Sequence, residues 1–124
     1  MDIETMDKSL NLLGETNGKR KHGKFNFCHF DEYIGLSMRE YGEYSEIEYS
    51  VIEKFINKDD FVFDIGSNIG CFSIPLAKKV GSKGKVFSFE PQKFIFDLLS
   101  KNIFDNKINN IDAYNIAIGE NKKS

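Results

Sequence analysis

The sequence of 124 residues contains no tryptophan, only two prolines and two cysteines, and no apolar run long enough to cross a bilayer. Cys28 and Cys71 are too few for a disulfide framework, and their positions indicate no metal site. The N-terminus, Met1-Asp2-Ile3-Glu4, is acidic and lacks the basic and apolar regions of a signal peptide. The formal charge of −2 gives no general attraction to nucleic acid or to anionic membranes. We therefore expect a cytoplasmic protein that binds no metal, nucleic acid or membrane.

The composition is that of a globular protein with one small domain, since 40% of the residues are hydrophobic, 29% are charged and twelve are Phe. Residues 1–24 are polar and predict a poorly ordered segment. Residues 25–44 predict an accessory strand or hairpin, in which residues 25–30 form one strand and residues 33–36 supply its partner. Residues 45–124 carry the periodic apolar pattern of an α/β domain.

The most informative stretch is Asp64-Ile65-Gly66-Ser67-Asn68-Ile69-Gly70, because its two glycines join an apolar strand to a helix. Upstream, Phe61-Val62-Phe63 has the apolar, β-favouring composition of a strand buried on both faces. Downstream, residues 71–80 predict a helix, and Pro75 implies either a regular start near residue 72 or 73 or a bent first turn. A tight glycine turn at such a junction brings backbone N–H groups close to a ligand.

A second acidic signal, Glu90, follows the next predicted strand at residues 85–89. It comes 26 residues after Asp64, near the spacing at which nucleotide-binding units place a carboxylate on ribose hydroxyls. A helix that starts near Gln92 and a third strand over residues 111–118 continue the alternation. The order β-α-β-α-β, after a leading helix, is one mononucleotide-binding half of a doubly wound fold.

The leading helix is predicted from Ser45-Glu46-Ile47-Glu48, which has the form of a capping box. Apolar residues then recur at helical spacing and form one face, which we expect to pack on the sheet. The residues of this face are Ile47, Val51, Ile52, Phe55 and Ile56.

The loop is not the dinucleotide fingerprint, because the glycines of G-x-G-x-x-G are absent and the chain offers D-x-G-x-N-x-G. Together with Glu90-Pro91, this form resembles the S-adenosylmethionine site of class I methyltransferases, and more narrowly that of the FkbM-type family. The resemblance extends over about residues 40–120. It is carried by Tyr41-Gly42-Glu43-Tyr44, residues 64–70, Phe89-Glu90-Pro91 and Asn115-Ile116-Ala117-Ile118-Gly119.

The resemblance implies an incomplete Rossmann-like α/β fold, with three parallel strands and flanking helices, and S-adenosyl-L-methionine as the cofactor. Asp64 can accept a hydrogen bond from the ammonium group of this cofactor and favours its positive charge. Glu90 has two acceptor oxygens, enough for both ribose hydroxyls, and the segment around Ala117 would run beside the adenine. The other residues expected at the cofactor belong to the loop: Gly66, Ser67, Asn68 and Gly70.

An FkbM-type enzyme is expected to methylate a hydroxyl on a sugar, a glycan or another small molecule, and no residue here can be nominated as its base. A class I methyltransferase continues with further strands, whereas this sequence ends soon after its third strand. We therefore expect the cofactor-binding half, with an open apolar edge at residues 61–63 that favours aggregation or pairing with a second chain that completes the sheet. A non-catalytic nucleoside-binding or structural module stays open as the alternative. The glycine spacing disfavours an NAD-dependent dehydrogenase.

Each residue of the expected site also has a structural interpretation. Asp64 could cap the turn that follows it, the two glycines could serve only strand–helix packing, and Glu90 could be a solvated strand end. Cys71 is expected to pack as a small apolar residue rather than act as a nucleophile, since no His or Cys lies near it in the sequence.

Overall fold

The computed structural model describes residues 13–15, 21–28, 31, 33–41 and 43–119. The strands are β1 (Leu13–Glu15), β2 (Asn26–Cys28), β3 (Phe61–Ile65), β4 (Lys85–Phe89) and β5 (Ile111–Tyr114). The helices are α1 (Ile34–Tyr41), α2 (Glu46–Ile52), α3 (Ser73–Val80) and α4 (Lys93–Asp105), and a 3-10 turn at Glu53–Phe55 follows α2. No helix within these ranges has the length and apolar composition needed to cross a membrane.

The main sheet is parallel and has the strand order β3-β4-β5. Its strands are short runs rich in Phe, Val and Ile, which favour a pleated backbone. In the register of the sheet, Asp64 lies opposite Ser88, and Ser88 lies opposite Ala113. The predicted α/β fold with three parallel strands and flanking helices is confirmed. The carboxyl ends of all three strands meet at one edge, where open α/β sheets bind their ligands.

One face of this sheet packs on α3 and α4, because right-handed crossovers between parallel strands place their helices on the same face. Val62 and Val86 of the sheet pack with Leu76 and Val80 of α3. Leu98 of α4 is fully buried. Alternate strand positions therefore supply a core beneath the sheet, in two buried clusters that both contact Phe72, Ile108 and Ile111.

Helix α3 begins at Ser73, as the position of Pro75 predicts. Pro75 is the third residue of the helix, where a backbone N–H has no intrahelical acceptor in any case. The helix ends at Val80, and the next residue, Gly81, has a φ of +75°, a conformation that favours glycine.

The opposite face of the sheet is exposed. Phe61 and Phe63 of β3 are 69% and 65% exposed. Phe63 stacks on Phe87 with ring centroids 5.0 Å apart, and Phe89 stacks on Tyr114 at 5.3 Å. The prediction that the first strand is buried on both faces is therefore wrong. No helix or strand among the described residues covers this face; its aromatic rings stack on one another, and Nζ of Lys85 lies 5.9 Å from the centroid of the Phe87 ring.

The accessory segment ahead of α2 differs from its prediction. Strand β2 forms within the predicted segment, but its antiparallel partner is β1. The predicted partner strand at residues 33–36 is wrong, because Asp31 starts helix α1 there. Its Oδ1 accepts hydrogen bonds from the N–H groups of Tyr33 and Ile34, at 2.8 and 2.9 Å.

Strand β2 and helix α1 share their core with the main sheet, since Phe27 and Met38 pack in one cluster with Ile74 and Leu98. Of the segment 1–24, predicted to be poorly ordered, Leu13–Glu15 is ordered as β1, and residues 1–12 and 16–20 lie outside the described residues. The domain boundaries expected after residues 24 and 44 stay predictions.

Helix α2 differs from its prediction in both its start and its buried face. Ser45 has φ +53° and makes no side-chain capping bond, so the predicted capping box does not form. The buried residue of the helix is Tyr49, whose ring lies 6.3 Å from that of Phe72. Ile47 and Phe55 face solvent, at 83% and 77% exposure, and Val51 and Ile52 are also exposed. Of the predicted apolar face, only Ile56 packs on the core beneath the sheet, beside Val62 and Val86.

Candidate functional site

Hydrogen bonds fix the glycine loop over the ends of β3 and β4. The N–H groups of Gly66 and Ser67 both donate to the carbonyl of Phe89, at 2.8 and 3.0 Å. The Ser67 hydroxyl donates to the carbonyl of Asp64 at 2.6 Å and accepts from the N–H of Phe89 at 3.1 Å. The hydroxyl of Ser67 therefore connects the carboxyl ends of β3 and β4 by hydrogen bonds, and the backbone of the loop borders the site.

Asn68 connects this loop to the second carboxylate. It has φ +53°, a left-handed conformation that Asn tolerates. Its N–H donates to Oε1 of Glu90 at 2.9 Å, while Oε2 of Glu90 accepts from the N–H of Gln92 at 2.9 Å. Glu90 is only 5% exposed, so it is not a solvated strand end. Two backbone donors orient its carboxylate, and each oxygen keeps a further lone pair for a ligand.

The two glycines of the loop have different surroundings. A Cβ at Gly70, where φ is +100°, would stand 3.0 Å from Cδ1 of Leu99 and 3.3 Å from Cδ1 of Ile74. A Cβ at Gly66, where φ is +77°, would meet no atom within 4 Å. The positive φ and the close packing against α3 and α4 therefore both favour glycine at position 70, whereas Gly66 leaves open space at the surface of the loop.

Asp64, at the carboxyl end of β3, is the first residue of a buried hydrogen-bond chain. Its Oδ2 accepts from the hydroxyl of Ser73 at 2.6 Å, and that hydroxyl lies 2.6 Å from the hydroxyl of Ser88. Burial raises the pKa of Asp64, the hydroxyls of Ser73 and Ser67 oppose this rise, and the charge of Glu90 adds to it. A positive ligand would offset both the burial and the repulsion.

Two cavities adjoin at Gly66, which lines both. The first, of about 180 Å³, has polar groups of the loop in its wall, and the second, of about 170 Å³, is largely apolar. The first is lined by Ile34, Tyr44, Asp64, Gly66, Ser67, Asn68, Cys71 and Phe72. The second is lined by Ile65, Gly66, Phe89, Pro91, Ile116, Ala117 and Ile118. A ligand with one polar and one apolar end could therefore occupy both.

The structure brings most of the predicted cofactor residues to these cavities: Asp64, Gly66, Ser67, Asn68 and Ala117. Gly70 and Glu90 are not among the described residues that line these cavities: Gly70 packs against Leu99 and Ile74, and the buried Glu90 accepts a hydrogen bond from the N–H of Asn68. The side-chain amide of Asn115 donates to the carbonyls of Glu90 and Pro91, at 2.9 Å each, and so holds the segment of Ala117 beside the end of β4. The binding role of each residue stays a prediction.

Ser73 and Ser88 are the site residues that the sequence reasoning missed. A signal for Ser88 was present, because strand alternation places it on the same face as Val86, which packs on α3. A hydroxyl at such a core-facing position needs a buried partner. The partner of the Ser88 hydroxyl is the hydroxyl of Ser73, which in turn donates to Asp64.

The two cysteines are free and buried, and Cys71 packs in the core as predicted. Burial raises the pKa of the Cys28 thiol to about 11 and also raises the pKa of Cys71. Neither thiol is therefore activated as a nucleophile. In the part of the chain that the structure describes, no group of three or more His, Cys, Asp and Glu residues is placed to hold a metal.

Neither Asp64 nor Glu90 forms an ion pair with a basic side chain within the described ranges. The acidic residues that form ion pairs there include Glu15, Glu46, Asp97, Asp105 and Asp112. Two carboxylates at adjacent strand ends without a basic partner favour a ligand that brings positive charge or hydroxyl donors.

No protein-family model matches the chain. The chain is 36% identical over 63 residues to the uncharacterized protein MJ1452 of Methanocaldococcus jannaschii. The aligned region covers 51% of this chain and 23% of that protein. Among solved structures, M. jannaschii TYW2 in complex with AdoMet has a TM-score of 0.59 at 28% identity and covers 80% of this chain and 42% of its own. Trm5b from Pyrococcus abyssi has a TM-score of 0.60 at 25% identity, and the match covers 80% of this chain and 27% of Trm5b. A SAM-dependent O-methyltransferase from Thermotoga maritima has a TM-score of 0.55 at 21% identity and covers 78% and 38%.

The chain thus spans about a quarter of the curated relative that it matches and less than half of each of these solved structures. None of the comparisons points to the FkbM-type family in particular. They agree on the coarser assignment: the chain has, in part, the Rossmann-like α/β fold of the class I S-adenosylmethionine-dependent methyltransferases.

Proposed function

We propose that this chain binds S-adenosyl-L-methionine and is the cofactor-binding part of a methyltransferase. The observation that carries the proposal is the pair of carboxylates, Asp64 and Glu90, at the ends of adjacent parallel strands. The glycine loop hydrogen-bonds to one strand end and to the Glu90 carboxylate, and no basic side chain of the described residues pairs with either group. The similarity to M. jannaschii TYW2, whose structure holds AdoMet, supports the same ligand here.

The residues present suit the chemical groups of this cofactor. Asp64 lines the polar cavity and would accept a hydrogen bond from the ammonium group. Glu90 is oriented by two backbone donors and would accept from the ribose hydroxyls with its remaining lone pairs. The apolar cavity, with Ala117 in its wall, would hold the adenine. Gly66 lies between the two cavities and has room beside it, so the ribose can pass there.

When bound, S-adenosylmethionine supplies a methyl group that its positive sulfonium activates. The chain's own contribution is to orient the ligand through Asp64 and Glu90 and to provide a negative potential that favours its positive charge. We assign no general base. The FkbM-type sequence blocks support a hydroxyl on a sugar, a glycan or another small molecule as the methyl acceptor.

Thermal unfolding with added ligands tests the binding step. S-Adenosylmethionine at 100 times its Kd should stabilise the fold by about 2.7 kcal/mol, whereas NAD at the same concentration should have no effect. Stabilisation by NAD alone, or by neither ligand, would contradict the proposed cofactor.

Transfer is tested separately, with methyl-labelled S-adenosylmethionine and a panel of sugars and other hydroxyl compounds. The proposed O-methylation predicts label in one acceptor class. Label in one acceptor class would exclude the alternative, a non-catalytic nucleoside-binding module, whereas binding without transfer is the result expected both of that module and of an isolated cofactor-binding part. The expected cytoplasmic location and the absence of a nucleic-acid partner likewise stay predictions.

A further inference from the structure

Asp64, Ser73 and Ser88 form a linear hydrogen-bond chain beneath the glycine loop. Ser73 is the first residue of α3, and Ser88 lies directly opposite Asp64 in the register of the sheet. The hydroxyl oxygen of Ser73 lies 2.6 Å from Oδ2 of Asp64 and 2.6 Å from the hydroxyl oxygen of Ser88. Both serines are 0% exposed, so bulk water does not compete for their hydroxyls.

The direction of this chain follows from the number of protons that each group can donate. A serine hydroxyl has one proton, and an ionised carboxylate has none. When Asp64 is ionised, Ser73 donates to it, and Ser88 must therefore donate to Ser73. Both protons then point toward Asp64. Oδ2 accepts from Ser73 on the protein side, and Asp64 lines the polar cavity, where lone pairs of the carboxylate can accept from a ligand.

We propose that Ser73 and Ser88 are positioning residues, which hold Asp64 as an ionised acceptor for the amino group of S-adenosylmethionine. This role rests on the proposed function above. It explains why hydroxyls occupy a helix–sheet interface that is otherwise apolar, with Val86 and Leu76 nearby. Buried hydroxyls cost free energy unless they are paired, so alanine would satisfy packing alone, and here the hydroxyls pair with each other and with the Asp64 carboxylate.

The role has a consequence that a packing role lacks, because the hydrogen bond from Ser73 stabilises the charged form of Asp64. In Ser73→Ala the carboxylate loses that donor, so the pKa of Asp64 should rise. When the pH is lowered, Asp64 is then protonated earlier, and the variant should lose ligand binding at a higher pH than the wild-type chain does. Ser88 acts through Ser73. Ser88→Ala should therefore have a smaller effect, and it should add nothing once the hydroxyl of Ser73 is absent.

The experiment measures two quantities in the full chain: the pKa of Asp64 by carbon NMR titration, and the Kd for S-adenosylmethionine by calorimetry across pH. The variants are Ser73→Ala, Ser88→Ala and the double variant. The matched control is Ser50→Ala, because the hydroxyl of Ser50 donates to the carbonyl of Ile47 within α2, outside the site. Far-UV circular dichroism verifies that each variant is folded.

At pH 7, Ser73→Ala should weaken binding about tenfold and Ser88→Ala about threefold, with the double variant equal to Ser73→Ala. The control should match the wild-type chain. A folded Ser73→Ala with wild-type affinity and an unchanged pKa for Asp64 would overturn the positioning role while leaving the proposed function intact. If Ser73→Ala does not fold, the pKa of Asp64 and the Kd measured in Ser88→Ala test the positioning role instead, and wild-type values of both would overturn it. A folded wild-type chain that does not bind S-adenosylmethionine overturns the proposed function and this role together.

Discussion

The backbone N–H of Asn68 donates a hydrogen bond of 2.9 Å to Oε1 of Glu90. This bond joins the loop after β3 to the residue after β4, so the conformation of the glycine loop and the position of the second carboxylate depend on each other. The other carboxylate oxygen accepts from the N–H of Gln92, ahead of α4. Glu90 is thus a structural acceptor as well as a proposed ligand of the cofactor.

The first prediction concerns Glu90→Ala. It removes the acceptor of two backbone N–H groups near a buried position, which should lower the free energy of unfolding by about 2 kcal/mol. It should also weaken S-adenosylmethionine binding at least about tenfold. Urea denaturation and calorimetry measure the two effects. The matched control is Glu48→Ala on the exposed side of α2, which should change stability by less than about 0.5 kcal/mol. Equal stability of the two variants would show that the loop does not depend on Glu90.

The second prediction separates the two loop glycines. Gly70→Ala should destabilise the fold by about 2–3 kcal/mol, because its Cβ would crowd Leu99 and Ile74 at a backbone conformation that disfavours side chains. Gly66→Ala should cost only about 1 kcal/mol, since its Cβ meets no neighbour, but it should weaken ligand binding because the methyl group occupies the cavity. Denaturation and binding measured on both variants test this. A Gly66→Ala variant that binds as well as the wild-type chain would place the ligand elsewhere.

The third prediction concerns pH. Burial raises the pKa of Asp64 above the ordinary value of 3.8, so the folded chain holds the proton more tightly than the unfolded chain does. Between the pKa of Asp64 in the unfolded chain and its higher pKa in the folded chain, the folded state binds more protons. The contribution of Asp64 to stability therefore falls as the pH rises through this range. Asp64→Asn should be more stable than the wild-type chain at pH 7, and this difference should shrink as the pH is lowered toward 3.8. Urea denaturation of both proteins across pH measures the difference. A variant less stable than the wild type at neutral pH would contradict the assigned direction.

The fourth prediction concerns the exposed aromatic face and the free edge of β3. Backbone bonds from Lys85 to Asp60 and from Gly66 to Phe89 show that even-numbered residues of β3 face β4, so the backbone groups of residues 61, 63 and 65 point to the other edge. In the described part of the chain nothing pairs with that edge, and it should promote self-association. Light scattering at increasing concentration should show oligomers, and Phe63→Lys should reduce them with little loss of stability, since Phe63 is mostly exposed. A wild-type chain that stays monomeric and unfolds cooperatively would show that this edge needs no second chain.

Much of the central fold could be predicted from local patterns. Asp64 to Gly70 predicted a strand–loop–helix junction, and the structure shows one, with Asn68 in the left-handed conformation. Pro75 correctly limited the start of α3. These features succeed because backbone conformation and helix starts depend on a few neighbouring residues.

The errors arose where contacts between distant residues decide the outcome. Periodicity alone could not show that Tyr49 rather than Ile47 would face the core, since that depends on the ring of Phe72. Apolar residues at 61 and 63 predicted burial, but only neighbouring elements could bury them. The Ser73–Ser88 contact also escaped prediction, because it joins residues 15 positions apart on different elements.

Calorimetric titration of the folded chain with S-adenosylmethionine, beside Asp64→Asn and with NAD as the control ligand, tests the central claim most directly. The account predicts saturable binding of one equivalent by the wild-type chain, a loss of at least about tenfold, or 1.4 kcal/mol, in Asp64→Asn, and no binding of NAD. If the folded wild-type chain does not bind S-adenosylmethionine, or if Asp64→Asn binds it equally well, the proposed cofactor site is wrong, and the loop and its two carboxylates serve the fold alone.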